Sequence, residues 1–116
     1  MKNQSAPKII EGRHYTVIIE FDIEPAKQLE LIEGITAEVE RLFSPHPAFI
    51  SASFHSSFDG RRVVNYAQWT GKDAYEAFME EVGTPQSTIG EVVKRTGAKP
   101  VYSNAYRVER VITSNG

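Results

Sequence analysis

Along residues 14–23 the chain alternates with a period of two. Tyr15, Val17, Ile19, Phe21 and Ile23 fall on one side of an extended backbone. β-Branched and aromatic residues dominate the stretch, and the pattern predicts a strand. Pro25 follows where a helix can begin, because its fixed φ suits a first turn and the N–H it lacks has no helical partner there. Leu29, Ile32, Ile35, Val39 and Leu42 then recur at intervals of three and four, predicting an amphipathic helix that ends near Phe43. Gly34 inside it costs about 1 kcal/mol relative to alanine, which points to a close packing contact or a cavity. Ser44-Pro45-His46-Pro47 breaks the helix, and residues 49–57 alternate loosely. Asp59-Gly60 marks a hairpin whose returning strand covers 61–69. Helical spacing returns over Lys72–Val82 through Ala74, Phe78 and Val82, until Gly83-Thr84-Pro85 interrupts it. Pro85–Thr96, with Ile89, Val92 and Val93 apolar, predicts a further short helix that Gly97 ends as a left-handed cap. A last long strand is expected over 100–112.

Strand, helix, strand, strand, helix, strand is the split βαβ order. It predicts an α+β, ferredoxin-like fold with a four-stranded antiparallel sheet and helices on one face only. In the returning hairpin strand Val63, Asn65, Ala67 and Trp69 share one face, while Val64, Tyr66 and Gln68 share the other. Both faces therefore carry large apolar groups, and such a sheet is usually covered on both sides. A second copy of the chain is the economical cover, so a homodimer forming a dimeric α+β barrel is expected.

Composition narrows the chemistry. A chain of 116 residues holds one domain and one modest core, with little room for a nucleotide-binding domain beside it. The domain is expected over 13–113, with a flexible arm at 1–12 and a frayed end at 114–116. There is no cysteine, which excludes disulfides, iron–sulfur clusters, thiolate zinc and a cysteine nucleophile. A net charge of -2 with scattered Lys and Arg gives no footprint for nucleic acid. No apolar stretch suits a signal peptide or a membrane span, so no membrane partner is expected and the location expected is cytoplasmic.

Candidate chemistry is sparse. His14, His46 and His55 show no metal-ligand spacing, and no metal site is expected. Nucleophile-elbow and Gly-rich phosphate motifs are absent. Asn65 is an amide within an otherwise apolar stretch, and buried without partners it would cost about 1–3 kcal/mol. Trp69 lies four residues on, pointing the same way about 13–14 Å off. Tyr75 follows on the next helix. Backbone-satisfied Asn65 and core-packed Trp69 are the ordinary structural readings of these residues. Glu76, Glu80 and Glu81 read as a solvated helix face, and Tyr102, Asn104, Tyr106 and Arg110 as one face of the last strand.

The stretch His46-Pro47-Ala48-Phe49-Ile50-Ser51-Ala52-Ser53-Phe54-His55, the Asp59-Gly60 hairpin and Val63-Val64-Asn65-Tyr66-Ala67-Gln68-Trp69 together resemble the antibiotic biosynthesis monooxygenase family. The resemblance spans roughly 14–112, and Asn65 to Trp69 is its most specific part. It implies a dimeric α+β barrel. It also implies a quinone-forming oxygenase that oxidises a small electron-rich aromatic, anthrone-like ring with O2 as co-substrate and no cofactor. Carried over, Asn65, Trp69 and Tyr75 are the candidate catalytic residues, and Phe49, Phe54, Phe78 and His55 complete the pocket as candidate substrate-binding residues. A basic residue late in the chain, Arg95 or Lys94, is a further expectation of the same resemblance. A haem-degrading branch of the family uses an Asn on the first strand and a His after the Trp. This chain has neither, so that activity is disfavoured. The alternatives on the same fold are an isomerase or cyclase-like enzyme and a non-catalytic binding protein. The last would show an occluded helix-side interior and no perturbed titrating group.

Overall fold

The computed structural model describes residues 6–82 and 85–115, without the side chains of residues 82 and 85–87. Strand β1 (Tyr15–Asp22) leads through a 3-10 turn (Pro25–Lys27) into helix α1 (Gln28–Leu42). Strands β2 (Phe49–Ser56) and β3 (Arg62–Trp69) form the hairpin. Helices α2 (Lys72–Val82) and α3 (Pro85–Thr96) follow, then strand β4 (Lys99–Arg107). The sheet runs β2-β3-β1-β4 and is antiparallel throughout, which is the ferredoxin-like order.

The three helices lie on one face. Val17, Phe21, Val63, Ala67 and Trp69 meet Leu31, Ile35, Val39, Phe43, Phe78 and Val92 in one core. The buried stripe of α1 is Leu31, Ile35 and Val39, flanked by half-buried Ile32 and Leu42. Leu29, expected in that stripe, is 67% exposed. At 100° per residue it sits about 120° of rotation from the stripe's centre at Ile35, and Leu31 takes the place assigned to it.

Two turns are fixed by glycine. Gly60 (φ 80°) closes the β2–β3 hairpin, where the Asp59 carboxylate accepts hydrogen bonds from Ser57 Oγ (2.7 Å) and Arg61 N (2.9 Å). Gly97 (φ 77°) ends α3 as the expected cap: its N–H reaches Lys94 O and that of Ala98 reaches Val93 O, the paired bonds of a Schellman motif. Gly34 marks the closest approach of α1 and α3, since a Cβ there would stand 2.6 Å from Val92 Cγ1. Gly34→Ala gains about 1 kcal/mol of helix propensity but forces apart a packed helix pair, costing about 1–3 kcal/mol. The expected net result is a lower midpoint in chemical denaturation. An unchanged or higher midpoint would show that the helix pair yields freely.

β4 ends at Arg107, five residues before the expected end at 112. β1 begins at Tyr15, which pairs with Arg107, so the chain beyond has no strand to pair with. Instead Gly12 N–H bonds Val108 O (2.8 Å), and Val111 N–H bonds the Glu11 carboxylate (2.7 Å). Arg110, expected on the strand face with Tyr102, Asn104 and Tyr106, lies outside it. The N-terminal segment crosses the helix-free face, where Lys8 O accepts from Gln68 Nε2 at 2.9 Å and Gln68 is buried.

Candidate active site

Register decides which side chains share the helix-facing side. Across β3 and β1 the pairs are Trp69–Tyr15, Ala67–Val17, Asn65–Ile19 and Val63–Phe21. Across β3 and β2, Trp69 faces Phe49, but the pairing then shifts, so that Ser51 meets Gln68, Ala52 meets Ala67 and Phe54 meets Asn65. The shift leaves Ile50 as an extra residue in β2, a bulge. It brings Phe49 and Phe54, odd and even in the sequence, onto the same side as Asn65 and Trp69. The same bulge sends His55, opposite Val64, to the far side of the sheet. His55 is exposed and lines a separate space with Pro7, Ile9 and Tyr66. Its expected place in the pocket is thus revised.

Trp69 is 1% exposed and is surrounded by rings. Its centroid lies 4.9 Å from Tyr75, 5.2 Å from Phe49, 5.2 Å from Phe78 and 5.6 Å from Phe43. Edge-on and tilted contacts of this kind are the favoured arrangements of aromatic quadrupoles. Phe78 is the deepest of them, packed on Phe43 (5.0 Å) and His46 (4.6 Å). It packs in the core behind Trp69 and, like Asn65, Trp69 and Tyr75, lines none of the cavities described below. Tyr15, which the period-two pattern already put on this face, joins the cluster 5.4 Å from Tyr75.

Asn65 stands toward the other end of this face, flanked by Ile19 and Phe54. Its Oδ1 is buried and has no hydrogen-bond partner. This differs from the ordinary outcome in which buried amides are satisfied by backbone or neighbours. Tyr75 is half-buried, and its phenol is pushed above the usual value of 10.0, first by burial, then by Tyr15 and Glu76. It therefore stays a proton donor throughout the neutral range. Because its folded pKa is raised, the associated stability is fully present below pH 10 and is lost as pH climbs through the raised value. Tyr75→Phe is expected to flatten that alkaline loss of stability in thermal melts. Identical alkaline profiles for both proteins would contradict it.

A cavity of about 600 Å3 runs along the β2 edge between α1 and the N-terminal segment. Thr36, Val39, Phe49, Ala52 and Phe54 line it, with Ala6 to Lys8 across the opening. Its size is that of a drug-sized ligand site. Through Phe49 it abuts Trp69, and through Phe54 it abuts Asn65. Arg95, considered above as a basic site residue, is held by Glu30 of α1 (3.3 Å) in the helix layer, and Lys94 is exposed. Among the described residues no group of three His, Asp or Glu side chains is placed to hold a metal ion. No described helix is long and apolar enough to cross a membrane.

Four antiparallel strands with three helices on one face define an α+β, ferredoxin-like protein. The chain belongs to the antibiotic biosynthesis monooxygenase family, whose pattern matches residues 14–82. It is 41% identical over 96 residues to tetracenomycin-F1 monooxygenase of Streptomyces glaucescens, covering 72% of this chain and 86% of that protein. Among solved structures it resembles the monooxygenase from the gene ActVA-Orf6 of Streptomyces coelicolor, in complex with nanaomycin D. The TM-score is 0.69 at 27% identity, over 89% of this chain and 94% of the other. The fold is shared with SnoaB, a cofactor-independent oxygenase of Streptomyces nogalater, at a TM-score of 0.61 and 16% identity over 88% and 99% of the two chains.

Proposed function

We propose that this monooxygenase oxidises an electron-rich, polyketide-type aromatic with O2 and without a cofactor. The observation that carries the reading is the buried, unpartnered amide oxygen of Asn65 on the face that also holds Trp69 and Tyr75. Such a group costs stability and persists where a ligand supplies the missing partner. The names of the similar proteins support the substrate class and the absence of a cofactor.

Ground-state O2 is a triplet and reacts slowly with closed-shell organic molecules. A phenolic anthrone escapes this by losing a proton to give an electron-rich anion. The anion passes one electron to O2, and the resulting carbon radical and superoxide combine. Protonation gives a hydroperoxide, and loss of water from it leaves the quinone carbonyl. One oxygen atom enters the product and the other leaves as water. The protein's part is to bind the ring, stabilise the anion and keep water out. Asn65 hydrogen-bonds the phenol through its free oxygen and, with the amide turned over, donates N–H to the oxyanion. Trp69 stacks on the flat ring and offers its indole N–H. Tyr75, held in its acid form, gives a proton to the peroxide and regains one from solvent, which has taken up the proton the phenol released. Phe49 and Phe54 line the way in from the β2 edge.

The enzyme is further proposed to work as a cytoplasmic homodimer. β4 is an edge strand of nine residues, all exposed, and it presents Val101, Tyr102 and Tyr106. A long bare edge of that kind is a pairing template unless something covers it. The test is O2 uptake across a panel of hydroxylated anthrones, with sedimentation of the same sample. Uptake in step with product, and twice the 13.0 kDa chain mass, are expected. Anaerobic turnover would point instead to an isomerase or cyclase, and absence of any turnover to a binding protein.

A further inference from the structure

Another cavity, about 360 Å3, opens at the end of the sheet where β1 begins and β4 ends. Arg13, His14, Tyr15, Lys72, Tyr106 and Arg107 line it, with no Asp or Glu among the lining residues. The whole chain holds 15 acids against 13 Lys and Arg, so a lining with three cations and no acid departs from the composition. Among the described residues Arg13 and Lys72 have no ion-pair partner. Arg107 meets Glu109 only at 3.8 Å, with both side chains over 70% exposed at 73% and 71%. Lys72 is the first residue of α2, at the positive end of the helix dipole, where a cation is disfavoured and an anion favoured. The unpaired cations and the helix N-terminus are each offset by a negatively charged ligand.

The cavity lies beside the aromatic face, with Tyr15 belonging to both. Arg107, Tyr15 and Trp69 pair across β4, β1 and β3 in one transverse row. Two strand spacings put the Arg107 Cα about 10 Å from that of Trp69. Tyr15 forms the shared wall, 5.4 Å from Tyr75, which in turn lies 4.9 Å from Trp69.

We propose that Arg13, Lys72 and Arg107 form a subsite for a carboxylate carried on the aromatic substrate, so that the enzyme selects ring systems bearing an acid group. The proposal rests on the reading of the Asn65–Trp69–Tyr75 face as the place where the ring sits. Guanidinium groups suit the site because they bind carboxylates through two parallel hydrogen bonds. The acid fixes one end of the ring system, which sets which carbon meets O2 near Asn65.

Trp69 is the only tryptophan, so its fluorescence reports ligand binding without any need for turnover. The probes are anthraquinone-2-carboxylate and its neutral analogue, 2-(hydroxymethyl)anthraquinone. The acid is expected to bind about tenfold more tightly. Its affinity should fall as salt rises from about 0.02 M to about 0.5 M, while that of the neutral probe holds. The combined variant Arg13→Gln/Lys72→Gln/Arg107→Gln should bring the two probes to within about twofold, and Arg13→Lys/Lys72→Arg/Arg107→Lys should keep the preference for the acid. Equal affinities in the parent protein, a preference untouched by removing the three charges, or no binding of either probe would overturn the subsite. O2 uptake separates the two claims. If uptake fails with every anthrone while the charge-dependent preference stands, the oxygenase reading fails and the subsite survives. If uptake proceeds without that preference, the reverse holds.

Discussion

Asn65→Ala is expected to lower kcat on an anthrone by about a hundredfold while leaving the folded protein as stable as the parent or more so. The first half follows from the role of a fixed hydrogen-bonding group at a developing oxyanion, whose removal costs about 100- to 1,000-fold in comparable sites. The second half follows from the structure. The Asn65 oxygen is buried and unpaired, which costs about 1–3 kcal/mol in the ligand-free protein. Asparagine is also a poor strand former, and Asn65 sits between Ile19 and Phe54 in the middle of β3. Alanine removes the unsatisfied oxygen and leaves a small space, and the two effects oppose each other. Loss of activity without loss of stability is the signature of a group kept for chemistry. Turnover within twofold of the parent would remove Asn65 from the mechanism. A clear drop in thermal midpoint would show that the amide is satisfied in solution by a partner the fold supplies.

Most of the fold was legible because its signals are local. The spans of α2 and α3 follow from spacing bounded by glycine and proline, and the Gly97 cap follows from its position after Thr96. Trp69 and Tyr75 are named together only through the family resemblance, and the two-residue link between β3 and α2 is what holds their rings 4.9 Å apart. What sequence could not show depends on pairing. Alternation alone puts His55 with Phe49, and the bulge at Ile50 reverses that by inserting one residue. The end of β4 depends on where β1 starts, about ninety residues earlier in the chain. Leu29 and Leu31 differ only in which side of α1 meets the sheet, a choice made by α3 and β3. Arg13, Lys72 and Arg107 come from three distant segments with no shared motif, so their convergence at one cavity appears only in three dimensions.

Trp69→Ala is expected to destabilise the protein by about 3–5 kcal/mol, because it deletes the centre of a packed ring cluster. The side chain is 1% exposed and touches Phe43, Phe49, Tyr75 and Phe78, none of which can collapse into the space without leaving its own rotamer and neighbours. For a domain whose total stability is on the order of 5–15 kcal/mol, that is a large share, and a lost activity in this variant would say nothing about chemistry. Trp69→Phe separates the two roles. It keeps a ring against the same partners, so the expected loss is about 1–2 kcal/mol, or a fall of several degrees in melting temperature. It also removes the indole N–H and part of the stacking surface. If Trp69 contacts the substrate as proposed, turnover falls by about tenfold at a temperature where the variant is fully folded, with the loss in kcat rather than in KM. If turnover is unchanged there, Trp69 serves only the core. The oxygen chemistry would then rest on Asn65 and Tyr75, with the ring held by Phe49 and Phe54 on the other side of the face.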